Sequence, residues 1–274
     1  MPQKPKLGQN FLVNPQACHA IVDALGRDLS SATVVEIGPG KGAITELLAQ
    51  RAARLVVVEL DSLLATSLRA RFGDSIQVIH QDILTVDLDT LRQSPADRLL
   101  IIGNLPYYIT SDILLHLFAH HQAIRTAVIM VQREVADRIA AHPGSRDYGM
   151  LSVTAQLYAE VEKLMTLPPA DFSPPPDVHS TVLRLTIAPR FQALGVSPAE
   201  FLAFVRQCFA QKRKTLRNNL RAAGYQPAAI EKACQEAGLQ LDARAEGIDM
   251  EGLASLHRSL IRPLVDHPPS PGAQ

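Results

Sequence analysis

Asn104-Leu105-Pro106-Tyr107 combine hydrogen-bond acceptors with an aromatic ring, directly after a short apolar run. The exocyclic nitrogen of adenine is a poor nucleophile because its lone pair is delocalised into the ring. The Asn104 side-chain oxygen and the Leu105 carbonyl could accept from its two N–H groups and favour a pyramidal nitrogen in the transition state. Pro106 restricts Leu105 to an extended conformation, and Tyr107 offers a ring on which a base can stack. These residues are predicted to be catalytic in methyl transfer to such an amine. Alone, they are also compatible with a turn between a strand and a helix.

A glycine-rich loop indicates a nucleotide-like cofactor. Residues 38–43 read Gly-Pro-Gly-Lys-Gly-Ala between a predicted strand and a predicted helix, and Glu59 lies at the tip of the next predicted strand. Glycines at this spacing let the main chain approach a ligand closely, and the acid can hold a ribose diol. A dinucleotide and S-adenosylmethionine both fit this pattern.

Two further acids favour S-adenosylmethionine. Glu36 lies two residues before Gly38, where a carboxylate would attract a sulfonium or ammonium group and repel a pyrophosphate. Asp82 follows the third predicted strand, where an adenine amine could be received. Each acid taken singly is also compatible with a cap at a loop end. Because acids follow three successive strands, the sequence predicts S-adenosylmethionine as the cofactor.

The elements that must position these residues are apolar runs that alternate with amphipathic stretches. The runs are continuously apolar, which predicts a largely parallel sheet covered on both faces: Thr33–Ile37, Leu55–Leu60, Ile76–His80, Leu99–Ile102 and Ala127–Val131. We therefore expect a doubly wound α/β domain. Residues 167–177 contain five prolines and are predicted to form a loop at the sheet edge, before a last strand at Thr181–Ile187.

The sequence changes character near residue 190. Ser197-Pro198-Ala199-Glu200 matches a capping box with proline at the first helical position. We expect an S-adenosylmethionine-binding catalytic domain over residues 1–190 and a smaller all-α domain over residues 191–274.

Six basic residues and no acid lie between Phe201 and Ile230. On one continuous helix, five of them would share a side, and this set is predicted to bind RNA: Arg206, Arg213, Lys214, Arg217 and Arg221. The alternative interpretation is a solvated helix face.

Bulk properties restrict the class of protein. The 274 residues carry 27 Lys plus Arg and 27 Asp plus Glu, so net charge alone gives no sign of a polyanionic partner. Three widely spaced cysteines fit a reducing compartment, and no apolar run approaches the ~18 residues of a membrane span. We expect a cytoplasmic monomer without a membrane partner or a bound metal. His116 and His120 have helical spacing but lack the acidic partner of the common zinc motifs.

With these motifs together, the chain resembles the ribosomal RNA adenine dimethyltransferases, and in particular the bacterial members that modify two adjacent adenosines near the 3′ end of 16S rRNA. The resemblance rests on Gly8–Leu12, Glu36–Gly40, Glu59 with Asp61, Asp82, Asn104–Tyr107, Gln132–Val135, Phe172–Ser180 and Gln211–Arg217. It implies a class I, Rossmann-like methyltransferase fold, two methyl groups on each adenine N6, and a C-terminal domain that docks on the small (30S) ribosomal subunit during its maturation. The cofactor-binding set predicted from the loop and the resemblance is Asn10, Leu12, Gly38, Gly40, Glu59, Asp82, Ile83 and Asn104.

Two positions depart from the pattern of the bacterial members. They usually carry Asn after the catalytic Tyr, where this chain has Tyr108, and Lys41 is charged where an uncharged residue is more common. Three other functions stay open at this point. They are a 23S rRNA adenine methylase of the macrolide-resistance type, a ribosome assembly factor without catalysis, and an NAD-dependent oxidoreductase favoured only by the glycine pattern.

Overall fold

The computed structural model describes residues 10–261, which fold as two compact units. The first comprises the described residues up to Ala141 together with Thr154–Pro189, and the second comprises His142–Val153 together with the described residues from Arg190. The division expected from the sequence placed all of residues 1–190 in one domain, and it differs at His142–Val153. In that segment the Gly144 N–H donates to the Glu246 carbonyl at 2.7 Å. A loop of this kind has no periodic pattern from which the sequence could assign it.

Nine strands are found in the described part of the first unit, and seven of them form one sheet. The strands are β1 (Phe11–Leu12), β2 (Thr33–Ile37), β3 (Arg54–Glu59), β4 (Gln77–His80), β5 (Leu99–Asn104), β6 (Ile124–Gln132), β7 (Ala159–Leu167), β8 (Phe172–Ser173) and β9 (Ser180–Ile187). The sheet order is β4-β3-β2-β5-β6-β9-β7. The first five strands in this order are parallel to one another, and β9 is antiparallel to both β6 and β7. β1 and β8 pair separately. The predicted doubly wound α/β sheet is confirmed, with an antiparallel edge.

The helices run from α1 to α11, and the last five belong to the second unit. They are α1 (Pro15–Asp23), α2 (Ala43–Ala49), α3 (Ser62–Phe72), α4 (Thr110–Ala119), α5 (Arg133–Ile139), α6 (Met150–Tyr158), α7 (Phe191–Leu194), α8 (Pro198–Cys208), α9 (Leu216–Ala222), α10 (Pro227–Glu236) and α11 (Met250–Ile261). Within residues 10–261, no helix is both long enough and apolar enough to cross a bilayer.

Apolar strands buried on both faces hold the first unit together. Every residue of β2 is buried, and so are the first five of β5, because helices cover both faces of this part of the sheet. Asn14 begins α1 by accepting from the main-chain N–H groups of Gln16 and Ala17, and Pro15 follows at the first helical position. α1 packs on α2, the helix that follows the glycine-rich loop.

The basic segment of the second unit is not one helix, so the prediction of a single basic helix side is wrong. α8 ends at Cys208, and α9 begins only at Leu216, after the N-cap Thr215. The buried Asn219 amide donates to the carbonyls of Cys208 at 2.7 Å and Gln211 at 3.2 Å, which satisfies acceptors where α8 stops. Ser197 is the N-cap of α8, as predicted, but its side chain makes no capping hydrogen bond.

Candidate active site

One cavity in the first unit lies at the carboxyl ends of its parallel strands. β4 and β2 are followed by Asp82 and Gly38, while β3 and β5 end at Glu59 and Asn104, so the sheet order β4-β3-β2-β5 brings these four residues to one edge. The cavity is lined by every predicted catalytic and cofactor-binding residue: Asn10, Leu12, Gly38, Gly40, Glu59, Asp82, Ile83, Asn104, Leu105, Pro106 and Tyr107.

Two glycines of the glycine-rich loop line this cavity. Gly38 and Gly40 have φ angles of 63° and 56°, a left-handed conformation that side-chain-bearing residues rarely adopt. The Gly38 N–H donates to the Val58 carbonyl at 2.9 Å, which fixes the start of the loop to the neighbouring strand. A Cβ on Gly40 would lie 2.8 Å from the Phe11 ring. The close approach of the Phe11 ring to the loop therefore requires glycine at position 40.

Glu59 lines the cavity and accepts hydrogen bonds from the main chain of two surrounding loops. One carboxylate oxygen accepts from the Gly40 N–H at 3.2 Å and the other from the Asp61 N–H at 2.9 Å. The residue is 4% exposed; this burial raises its pKa, and the main-chain donors oppose the rise. Each carboxylate oxygen has a second lone pair, so Glu59 can accept from a ligand hydroxyl without losing these bonds.

Glu36 is more deeply buried and differs from its sequence interpretation. It is 2% exposed, and its Oε2 accepts from the Thr45 hydroxyl at 2.7 Å. Burial raises the pKa of Glu36 to about 8. The hydrogen bond from Thr45 opposes this rise, and the nearby Glu59 charge adds to it. In the free protein the group is therefore mainly protonated at neutral pH. It becomes an attractive charge for a cation only when the proton leaves.

Asp82 has both roles considered for it in the sequence. One oxygen accepts from the Leu84 N–H at 3.0 Å and so caps the short helical turn Ile83–Thr85. Its side chain also lines the cavity.

The amide of Asn104 is oriented by the main chain of Asn10. Asn104 Nδ2 donates to the Asn10 carbonyl at 3.0 Å. A carbonyl can only accept, so the NH₂ must face it and Oδ1 must be the other atom of the amide. The strand β1 that follows Asn10 is itself held by pairing with β8. This arrangement presents an acceptor oxygen at a fixed position.

The other residues of the predicted catalytic run are fixed in different ways. The Leu105 N–H donates to the Met130 carbonyl at 2.9 Å, while the Tyr107 hydroxyl and the buried Ser180 hydroxyl lie 3.0 Å apart. Ser180 was within the family markers, but sequence reasoning gave it no role. Gly103 was also missed. A Cβ there would lie 2.6 Å from the Ile37 carbonyl oxygen, so glycine allows β2 and β5 to pair just before Asn104.

Lys41 does not simply extend into solvent. Its ammonium lies 4.7 Å from the centre of the Phe11 ring, a cation–π contact across the glycine-rich loop. Lys41 and Phe11 both line the cavity.

The predicted RNA-binding residues of the second unit fall into different environments. Arg206 and Arg221 are exposed on α8 and α9, and Lys214 is exposed in the segment between them. Arg217 forms an ion pair with Glu231 at 2.7 Å. Arg213 lines a recess together with three basic residues that the predicted set omitted: Arg146, Lys212 and Arg244. The Lys212 ammonium donates to the Arg146 carbonyl at 2.8 Å.

A cluster of potential metal ligands lies outside the cavity. Ligand atoms of Asp87, Asp89 and His120 lie within 4.8 Å of one another. His120 Nδ1 is 2.8 Å from an Asp89 oxygen, and Arg92 pairs with the other Asp89 oxygen at 2.9 Å. These contacts explain the cluster as surface ion pairing. His116 has its own partner, since its Nε2 lies 3.0 Å from the Val86 carbonyl.

Comparison with known proteins relates this geometry to a family. The sequence profile described as Ribosomal RNA adenine dimethylase matches residues 2–261. The chain belongs to the ribosomal RNA adenine dimethylase family. It is 63% identical over 259 residues to Ribosomal RNA small subunit methyltransferase A of Acidobacterium capsulatum, covering 94% of this chain and 91% of that protein.

Two solved structures share the fold of this dimethylase. A dimethyladenosine transferase from Plasmodium falciparum superposes with a TM-score of 0.74 at 24% identity, over 90% of this chain and 95% of the other. The 23S rRNA methyltransferase ErmE superposes with a TM-score of 0.69 at 27% identity, over 92% of this chain and 99% of the other. The predictions of a class I methyltransferase fold and of an adenine dimethyltransferase are confirmed, and the oxidoreductase hypothesis is wrong.

Proposed function

We propose that this dimethylase transfers methyl groups from S-adenosylmethionine to the N6 atoms of two adjacent adenosines near the 3′ end of 16S rRNA, within the small ribosomal subunit and during its maturation. The observation that carries the reaction is the fixed Asn104 amide, whose oxygen is held in the same cavity as the glycine-rich loop. The choice of RNA is supported by the small-subunit methyltransferase of Acidobacterium capsulatum, to which this chain is 63% identical over 259 residues.

The cavity fits S-adenosylmethionine. Gly38 lines the cavity without a side chain, and glycine at position 40 lets the Phe11 ring lie against the loop. Glu59 and Asp82 supply acceptors for hydroxyl and amine groups, while the buried Leu12 and Ile83 supply apolar surface. When bound, S-adenosylmethionine supplies an electrophilic methyl group on a sulfonium. Glu36 in its ionised form would favour the positive charge of such a ligand.

The catalytic run receives the adenine. In the first transfer, Asn104 Oδ1 and the Leu105 carbonyl would accept from the two N6 hydrogens and direct the nitrogen lone pair towards the methyl group. In the second transfer one N6 hydrogen remains, and one of the two acceptors would hold it. Tyr107 supplies the stacking surface, and its bond with Ser180 sets the ring's position. Neither acceptor is basic enough to take a proton at neutral pH, so the N6 proton leaves to water after transfer.

Basic side chains of the second unit supply affinity for the RNA backbone. Arg146, Lys212, Arg213 and Arg244 surround one recess, and clustered cations of this kind neutralise phosphates. Arg206, Lys214 and Arg221 are exposed and add to the positive surface of the unit. Arg217 contributes less because Glu231 neutralises it.

Methyl transfer to isolated ribosomal particles tests the proposal. Purified protein and tritiated S-adenosylmethionine would be incubated with small subunits from a strain lacking this modification, with large subunits and with protein-free RNA. We expect label in the small subunit, mapped to two adjacent adenosines as N6,N6-dimethyladenosine. Label in large-subunit RNA instead would contradict the proposal and favour the 23S alternative. No label in any RNA would favour the non-catalytic assembly factor.

A further inference from the structure

Tyr108 is an aromatic side chain exposed at the cavity. It lines the cavity beside Tyr107, yet 61% of its surface is accessible to solvent. Tyr107, by contrast, is half-buried, and its hydroxyl contacts Ser180. Because a solvent-exposed ring contributes little burial to folding, its place in the cavity lining makes it available to a ligand.

The local backbone makes the two tyrosines face different ways. Both lie in the short 3₁₀ turn Tyr107–Ile109. Such a turn has 3.0 residues per turn, so consecutive side chains point about 120° apart. The two rings therefore point in different directions, so a base that stacks on Tyr107 leaves the Tyr108 ring available to a second group.

We propose that Tyr108 stacks on the nucleobase adjacent to the adenine that is being methylated. The inference rests on the proposed function, in which the substrate is an RNA strand with an extruded adenine. Base stacking on aromatic side chains tolerates any base, because every base has a π-face.

Kinetics use small ribosomal subunits that lack the modification, and binding uses a short single-stranded RNA with the fluorescent base 2-aminopurine beside one adenine. Removing a stacked ring costs ~1–3 kcal/mol, so Tyr108→Ala should raise the KM for the small subunit by about 5- to 150-fold with kcat nearly unchanged. Tyr108→Phe keeps the ring and should behave like the wild type. Leu63→Ala removes an exposed apolar side chain, 80% accessible on α3 and not part of the cavity lining, and serves as the matched control.

The fluorescence separates stacking from a general loss of binding. At saturating protein, the wild type and Tyr108→Phe should quench 2-aminopurine more than Tyr108→Ala does. If the wild type methylates RNA but the alanine variant keeps its KM and its quenching, the inference is wrong while the proposed function stands. If the wild type transfers no methyl group to any RNA, the proposed function fails and this inference fails with it.

Discussion

At the residue scale, the position of one amide oxygen decides whether the cavity can activate an amine. Asn104→Ala removes the acceptor while Asn10 and the glycine-rich loop stay in place. Removing a comparable preorganised hydrogen-bonding group in other enzymes costs about 10² to 10³ in kcat. We therefore expect kcat for transfer of tritiated methyl groups to RNA to fall by about that factor.

The control for Asn104→Ala is Asn218→Ala, an exposed asparagine on α9 in the second unit. Titration calorimetry with S-adenosylmethionine should show that both variants still bind the methyl donor within about tenfold. Turnover of Asn104→Ala within about threefold of the wild type would remove Asn104 from the proposed reaction.

We expect Ser180 to position Tyr107, because the two hydroxyls lie 3.0 Å apart and Ser180 is buried. A neutral hydrogen bond of this kind contributes ~0.5–1.5 kcal/mol, so Ser180→Ala should lower kcat/KM by about 2- to 13-fold. Tyr107→Phe removes the same bond from the other side and should have a similar effect. Because both changes remove one interaction, the double variant should lose little more than either single variant.

Steady-state kinetics on all four proteins complete this double-mutant cycle. Losses that multiply in the double variant would show that the two hydroxyls act independently and that Ser180 has no positioning role. Thermal melting of each protein checks that the cycle compares folded enzymes.

At the element scale, continuous apolar runs predicted the parallel strands well, because strands buried on both faces have no other pattern. The prediction failed at β7, where Glu160, Glu162 and Lys163 make an edge strand look polar. The prediction of one continuous basic helix failed between α8 and α9. The Asn219 amide that donates to the carbonyl at the end of α8 lies in the following helix. No local pattern reports such a contact.

The cavity lining was predicted more completely than the contacts that orient it. Glycines and acids after strands mark a ligand site by their residue types alone, which is why Gly38, Glu59 and Asp82 were found. The Asn104 to Asn10 bond joins residues 94 positions apart, and the Tyr107 to Ser180 contact joins residues 73 positions apart. Only the tertiary fold brings these pairs together.

The pairing of β2 and β5 depends on Gly103. In Gly103→Ala, the new Cβ would lie 2.6 Å from the Ile37 carbonyl oxygen, so the strands must shift. Overpacking of this kind costs ~1–3 kcal/mol, which corresponds to a fall of at least about 2 °C in the melting temperature. The shift also moves Asn104, so kcat should fall more than stability alone explains.

Gly247→Ala is the matched control for stability, because a Cβ there meets nothing within 4 Å and its φ is not positive. Gly247 lines the basic recess, so methyl transfer is compared as kcat at saturating RNA. Calorimetric melting curves and methyl transfer would be measured for both variants. An unchanged melting temperature for Gly103→Ala would mean that the sheet accommodates the methyl group and that this glycine is not required.

Arg213, in the segment between α8 and α9, should contribute more to RNA binding than Arg217, near the start of α9. Arg213 lines the basic recess, whereas Arg217 is paired with Glu231. Arg213→Gln should weaken RNA binding and reduce the slope of log K against log salt concentration by about 0.7 to 0.9, the amount for one lost phosphate contact. Arg217→Gln should change both quantities less. Binding would be measured by fluorescence anisotropy at several salt concentrations, and equal slopes for the two variants would contradict the difference drawn from their partners.

At the scale of the whole molecule, each unit contains a buried titratable group, and the two shift in opposite ways. In the first unit, burial raises the pKa of Glu36 from its ordinary 4.5 to about 8. In the second unit, burial lowers the pKa of His257, which is 2% exposed and lies against the rings of Phe201 and Phe204. The nearby Glu200 opposes this lowering, and Arg258 adds to it.

These shifts predict opposite pH dependences for the stability of the two units. Folded Glu36 holds its proton where the unfolded chain has lost it, so its contribution is full below pH 4.5 and is lost as pH rises to about 8. Folded His257 resists protonation, so its contribution is present above its ordinary pKa of 6.5 and is lost as pH falls below that value. Scanning calorimetry from pH 5 to 8.5 should therefore give Glu36→Gln a flatter fall in melting temperature on the alkaline side. His257→Phe should give a flatter fall on the acid side. Curves for either variant that run parallel to the wild type would show that the group does not drive the dependence, while exchange of the two effects would contradict the sign of both shifts.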